Sequence, residues 1–175
     1  LGLNSPLAAV AAVFHIMNHA TFKASLFMAA GIVDHESGTR DIRRLSGLRQ
    51  MMPITATLAM VASAAVAGVP LFNGFLSKEM FFAETVFVDT ASIARWVLPV
   101  AATVAGMFSV AYSLRFTADV FFGPPATDLP HTPHEPPRWM RVPVELLVLT
   151  CLLVGVLPAT TVGASLAAAA RPVVG

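Results

Sequence analysis

From Leu7 to Val33 the chain is apolar except for His15, Asn18, His19 and Lys23. About 20 apolar residues suffice to cross a hydrocarbon core of roughly 30 Å as a helix. An ionisable group inside such a span costs several kcal/mol unless it is paired or wetted. His15, His19 and Lys23 recur at every fourth position. On an α-helix each lies about 6 Å along and about 40° round from the one before, so all three share one stripe. A stripe of that kind cannot face lipid. It must face the interior of a protein or water, and that requirement constrains every fold open to the chain.

The rest of the sequence agrees with a membrane setting. Charged residues make up 12% of the chain and hydrophobic ones 56%. Soluble domains carry about twice that charged fraction, so lipid is expected to face much of this surface. A net charge of +1 gives no case for nucleic-acid binding. The single cysteine, Cys151, lies in an apolar run; it excludes a disulfide framework and reads as a small buried hydrophobe.

The fold class expected is all-α and polytopic, with about four crossings at 7–33, 51–88, 96–122 and 142–170. The second is discontinuous. It is interrupted at Gly68-Val69-Pro70 and Asn73-Gly74, then resumes with Lys78, Glu79 and Glu84 inside. Proline removes a backbone donor and glycine weakens a helix. Broken backbone at membrane depth is tolerated only where protein or a wet cavity satisfies it, and transporters place ion sites at such breaks. Pro158 could kink the fourth span. The connector at 34–50 holds Arg40, Arg43, Arg44 and Arg49, and the Pro-rich connector at 123–141 holds Arg138 and Arg141. The turn at 89–95 has only Arg95. If the broken segment crosses once, both basic connectors share a side, which the distribution of basic residues makes the cytoplasm. The amino end is then outside. The chain starts without Met or a basic leader, and both ends are expected to be cut from a longer polypeptide.

Histidine titrates near neutral pH, and a buried lysine loses proton affinity. His15, His19 and Lys23, bridged by water, are therefore candidates for a proton relay. Lys78, beside the helix break, is a fourth. The plainer alternatives are histidines that cross-link helices with a snorkelling lysine, and a Lys78–Glu79 pair that marks a membrane surface. Two histidines at i, i+4 could also hold a metal, but no third ligand lies nearby and Lys23 would repel the ion. Tyr112, Arg115 and Asp119 form a polar stripe near the end of the third span; an Arg115–Asp119 ion pair is its simplest reading. Glu79, Arg115 and Asp119 are kept as supporting candidates. His35, His131 and His134 fall in connectors and receive no role.

Four stretches taken together resemble one family: Phe14 to Phe27, Gly38 to Leu48, Met52-Pro53, and Gly68-Val-Pro-Leu-Phe-Asn-Gly-Phe-Leu-Ser-Lys-Glu79. They look like the antiporter-like proton-translocating subunits shared by respiratory complex I and the Mrp-type multi-subunit Na+/H+ antiporters, and most like the large A-type subunit of the latter. The likeness is strong over 1–123 and weaker beyond. It implies an inverted-repeat fold of five-helix units. Residues 1–123 would form the later part of the second repeat, 124–141 a connector and 142–170 an additional transmembrane helix. By motif, His15, His19 and Lys23 match the central hydrated axis, and Lys78 matches the lysine of the discontinuous helix near an exit. The first repeat, with its glutamate–lysine pair, is not among these residues.

The expected function is proton translocation within a monovalent cation (Na+)/proton antiporter of the cell membrane, with other membrane subunits and the lipid bilayer as partners. No prosthetic group and no covalent chemistry are implied. The rivals are a proton-pumping subunit of a respiratory NADH/quinone-type complex, a membrane scaffold that transports nothing, and a membrane enzyme with a di-histidine metal.

Overall fold

The computed structural model describes residues 5–87 and 94–174. Most of the turn expected at 89–95 lies outside them. Seven α-helices and one short 3-10 turn follow in chain order, with no strand among the described residues.

Helix α1 (Pro6–Ser37) is long because nothing interrupts it. Ser5 caps its start by accepting from the Ala8 N–H at 3.3 Å, Pro6 opens the first turn, and Gly38 closes it in the left-handed conformation. Its buried residues include Ala8, Ala11, Phe14, Asn18, Phe22, Ser25, Ala29 and Ile32, at steps of three or four. This face packs against α2 (Pro53–Ala67), α3 (Asn73–Phe87) and α5 (Arg138–Val156).

Helices α2 and α3 are two halves of one path. Gly68, at φ 86°, ends α2, and its N–H returns to the carbonyls of Ala64 and Ala65. Pro70 cannot continue a helix. Leu71 is held at φ 78°, a conformation that costs a non-glycine residue roughly 1–2 kcal/mol. The helix restarts at Asn73. Close packing keeps the break in place. Ala56, Ala59, Ala62 and Ala65 are fully buried along α2. Gly74 lies against the Ala65 carbonyl, and Gly155 of α5 lies against the backbone of Leu71 and Phe72; neither site has room for a Cβ. Small residues that let backbones approach are the usual currency of helix packing in lipid.

The Ser5 hydroxyl, at the start of α1, donates to Glu84, near the end of α3, at 3.1 Å. The beginning of α2 lies at the opposite end of α1, beside the connectors. The broken pair therefore runs the same traverse as α1. Helix α4 (Ala94–Phe121) packs on α2 and α3. Residues 142–170, expected as a single span, are divided. Helix α5 starts at Arg138 and ends at Val156, Pro158 opens the single turn α6 (Pro158–Thr161), and α7 (Gly163–Val174) returns to pack on α1. Proline has no N–H for the helical ladder and clashes with the preceding turn, which accounts for the division.

By length and composition two described helices can cross a membrane, Arg95–Phe121 and Arg138–Val156. Helix α1 is long enough, but His15, Asn18, His19 and Lys23 lower its hydropathy. The halves α2 and α3 have 15 residues each, about 22 Å apiece.

Both connectors meet at one end of the bundle. The Gly47 N–H donates to Phe122 O at 3.1 Å, Ala126 N–H to Ser46 O at 3.1 Å, and Arg44 to Asp128 O at 2.6 Å. Glu135 accepts from the Thr55 N–H and hydroxyl, both at 3.1 Å, in the first turn of α2. Buried Glu36 contacts His35 at 3.0 Å and also His134. In the same region Asp41 accepts from Arg43, which holds the Asp41 carboxyl below its ordinary value.

Candidate functional site

His15, His19 and Lys23 each follow a buried residue of α1 (Phe14, Asn18, Phe22). A step of one residue turns about 100°, so the stripe runs along the shoulder of the buried face. There it borders a cavity of about 500 Å³ between α1, α2, α3 and α4, lined by His15, His19, Lys23, Lys78, Ser109 and Tyr112 together with phenylalanines. The structure thus brings four candidate residues to one space. The imidazole centroids of His15 and His19 are 5.8 Å apart. His15 Nδ1 lies 3.2 Å from the Ser77 hydroxyl, one residue before Lys78.

Lys78 is half-buried and turned into the bundle. Its Nζ donates to Val66 O at 2.7 Å, Ala67 O at 3.1 Å and Ser109 Oγ at 3.1 Å. Three ammonium protons meet three acceptors. Two of these are carbonyls at the open end of α2, where a helix dipole favours a cation. The side chain passes over Gly68, where a Cβ would stand 3.0 Å from Lys78 Cδ. Lys23 donates to the Tyr112 hydroxyl at 2.7 Å, and its Nζ lies 4.6 Å from the centre of that ring.

The supporting candidates lie elsewhere. Glu79 is exposed and borders a second cavity on the other side of Lys78. Arg115 and Asp119 bond to each other at 3.2 Å, both exposed, near the connector end of α4. Tyr112 is separated from that pair by its bond to Lys23. Among the described residues no group of three His, Cys, Asp or Glu is gathered for a metal ion.

Sequence reasoning missed several polar residues of the site. Ser77 and Ser109 are ordinary residues for a span, and nothing in their spacing marks them; Tyr112 was marked by its spacing, but as a neighbour of Arg115 and not of Lys23. Asn18 and Asn73 carried a signal, a lone amide in an apolar stretch. They meet in the buried seam of α1 and α3, the Asn73 amide donating to the Asn18 carbonyl oxygen at 3.1 Å.

The cavity is open on one side, and His19 is exposed where His15, Lys23 and Lys78 are partly buried. A helical bundle with an interrupted helix, and with lysines and histidines bordering one half-open cavity, defines a membrane protein of antiporter-like architecture. The chain belongs to the family described as NADH:quinone oxidoreductase/Mrp antiporter, TM, which matches residues 1–109. It is 72% identical over 163 residues to the A/B subunit of a "Probable K(+)/H(+) antiporter" of Rhizobium meliloti (strain 1021), covering 93% of this chain and 16% of the relative. It is 47% identical over 148 residues to the A subunit of the Na(+)/H(+) antiporter of Bacillus subtilis (strain 168), covering 81% of this chain and 18% of the relative. The fold superposes on one polypeptide of the Mrp complex from Dietzia sp. DQ12-45-1b with a TM-score of 0.83 at 35% identity, covering 98% of this chain and 18% of that one. The chain therefore spans less than a fifth of the length of these three proteins.

Proposed function

We propose that this chain is part of a monovalent cation/proton antiporter and carries protons along His15, His19 and Lys23 towards Lys78. One observation carries the reading: these four side chains, from two helices and 55 residues apart between Lys23 and Lys78 (78 minus 23), border one cavity. The space is wide enough to admit water beside these polar groups. Imidazoles can accept and release protons near neutral pH, and like charges in a low dielectric shift each other's proton affinity enough to drive stepwise transfer. Glu79, Arg115 and Asp119 stay outside this path. The site needs no prosthetic group for such transfer.

The same reading assigns four crossings to the membrane: α1, the α2–α3 pair, α4 and α5. Residues 1–123 then belong to the second antiporter-like repeat, and 142–170 add a further membrane segment. Contact between the two basic connectors supports a shared side, which the arginines make cytoplasmic. Other membrane subunits complete the assembly. The relatives' names divide between potassium and sodium, so the cation is proposed only as monovalent.

The test is a Lys23→Met variant of the full-length protein in its assembled complex, measured for cation/proton exchange in membrane vesicles. Exchange is expected to be lost with assembly retained. Wild-type exchange would instead support the non-transporting scaffold. Proton flux that depends on quinone reduction would place the chain with the respiratory complexes.

A further inference from the structure

One turn of α4 touches both lysines. Ser109 and Tyr112 are three residues apart, and so share a face. Ser109 accepts from Lys78 at 3.1 Å and donates its own proton to Val66 O at 3.0 Å. Tyr112 accepts from Lys23 at 2.7 Å. Gly106, one turn earlier, borders the same cavity, where a Cβ would stand 3.3 Å from the Phe82 ring. We propose that the Ser109–Tyr112 turn of α4 is a positioning element that fixes the Lys23 and Lys78 side chains with respect to each other through two hydroxyl groups.

The chemistry of the two hydroxyls suits this task. A phenol both accepts and donates. It can accept from a charged Lys23 and, by turning its O–H, donate to a neutral one, so the side chain keeps its aim in both protonation states. The tyrosine ring alone cannot do this, because its face attracts the cation and not the amine. Ser109 is oriented by Val66 O, which leaves its oxygen lone pairs towards Lys78. The titratable groups bordering the space around Lys23 are His15 and His19 of α1, Lys78 of α3 and Tyr112 of α4. The hydroxyl of Tyr112 is the one among them that bonds directly to Lys23. The inference rests on the proton relay proposed above.

The experiment uses the full-length protein in its assembled complex, with exchange followed against pH and against cation concentration. Tyr112→Phe keeps the ring and removes the hydroxyl. It is expected to lower the maximal rate about three- to tenfold, to move the pH profile, and to leave the apparent KM for the cation and the yield of complex unchanged. Ser109→Ala is expected to slow exchange and Ser109→Thr, which restores a hydroxyl, to recover it. A Tyr112→Phe protein with wild-type rate and pH profile would overturn the proposal. So would equal rates in Ser109→Ala and Ser109→Thr. If Tyr112→Phe does not assemble, the two Ser109 variants decide. Lys23→Met, run in parallel, separates the two levels. Exchange lost in Lys23→Met but normal in Tyr112→Phe refutes the positioning role alone; normal exchange in Lys23→Met refutes the relay itself.

Discussion

The amides of Asn18 and Asn73 face each other in the buried seam between α1 and α3, 3.1 Å apart. The bond joins the helix that carries the histidine–lysine stripe to the first residue of α3, and so fixes the height of the break against that stripe. Replacing Asn73 by Leu leaves the Asn18 amide unpaired in an apolar seam. Such a loss costs about 1–2 kcal/mol in a membrane bundle. The expected result is a lower melting temperature of the solubilised complex. The double variant Asn18→Leu/Asn73→Leu should recover part of it, because neither partner is then stranded. Thermal unfolding of the three proteins checks this.

Lys78→Met removes the donor that meets Val66 O, Ala67 O and Ser109. Exchange in vesicles is expected to fall at least about tenfold, through loss of the charge and loosening of the break. Lys78→Arg keeps a charge, but its planar fork does not reproduce a compact ammonium. It should remain below wild type. Equal activity in all three proteins would show that the charge at this position is not used.

Gly68→Ala tests the turn beneath Lys78. Gly68 is left-handed at φ 86°, and a Cβ there meets Lys78 Cδ at 3.0 Å. The conformation alone costs about 1 kcal/mol. The displaced lysine should add a slower exchange rate that the stability loss does not explain. Comparing rate per assembled complex with yield of complex separates the two effects.

Glu135→Ala removes the acceptor for the first turn of α2. Loss of a helix cap costs about 1 kcal/mol. Glu135→Gln should lose less, since an amide oxygen still accepts from Thr55. The check is the thermal stability of the complex carrying each variant.

The pH dependence of exchange should not arise from Asp41 of the connector. The Asp41 carboxyl is held below its ordinary value of 3.8, first by its hydrogen bond from the Arg43 side chain and then by that from the Arg43 backbone. A depressed carboxyl contributes stability above its unfolded value and loses it as pH falls through the folded one. It therefore stays ionised throughout the range from about pH 5.5 to about pH 7.5, where histidines ordinarily titrate. Asp41→Asn should leave the shape of the exchange profile over that range unchanged, as vesicle assays at a series of pH values would show.

Periodicity made the His15, His19 and Lys23 stripe legible, because four-residue spacing in a helix has one geometric outcome. Pro70, Gly68 and Gly74 marked the interruption for the same kind of reason: their backbone chemistry acts locally. The Arg115–Asp119 pair followed from i,i+4 spacing. What could not be read were contacts between helices distant in the chain. Tyr112 looked like a neighbour of Arg115, and only the packing of α4 on α2 and α3 brings it to Lys23. Ser109 carries no pattern at all. Glu135 sits among prolines, and its reach to Thr55 depends on how the connector folds back across the bundle.

At each tip of helix α2 a charged side chain from another segment adds to what the backbone supplies. Glu135 grips one tip and Lys78 the other, each with the charge that the helix dipole favours there. A fifteen-residue rod held in this way is tied at both tips to segments distant in the chain. Removing either charge is therefore expected to loosen the end of α2 that it holds.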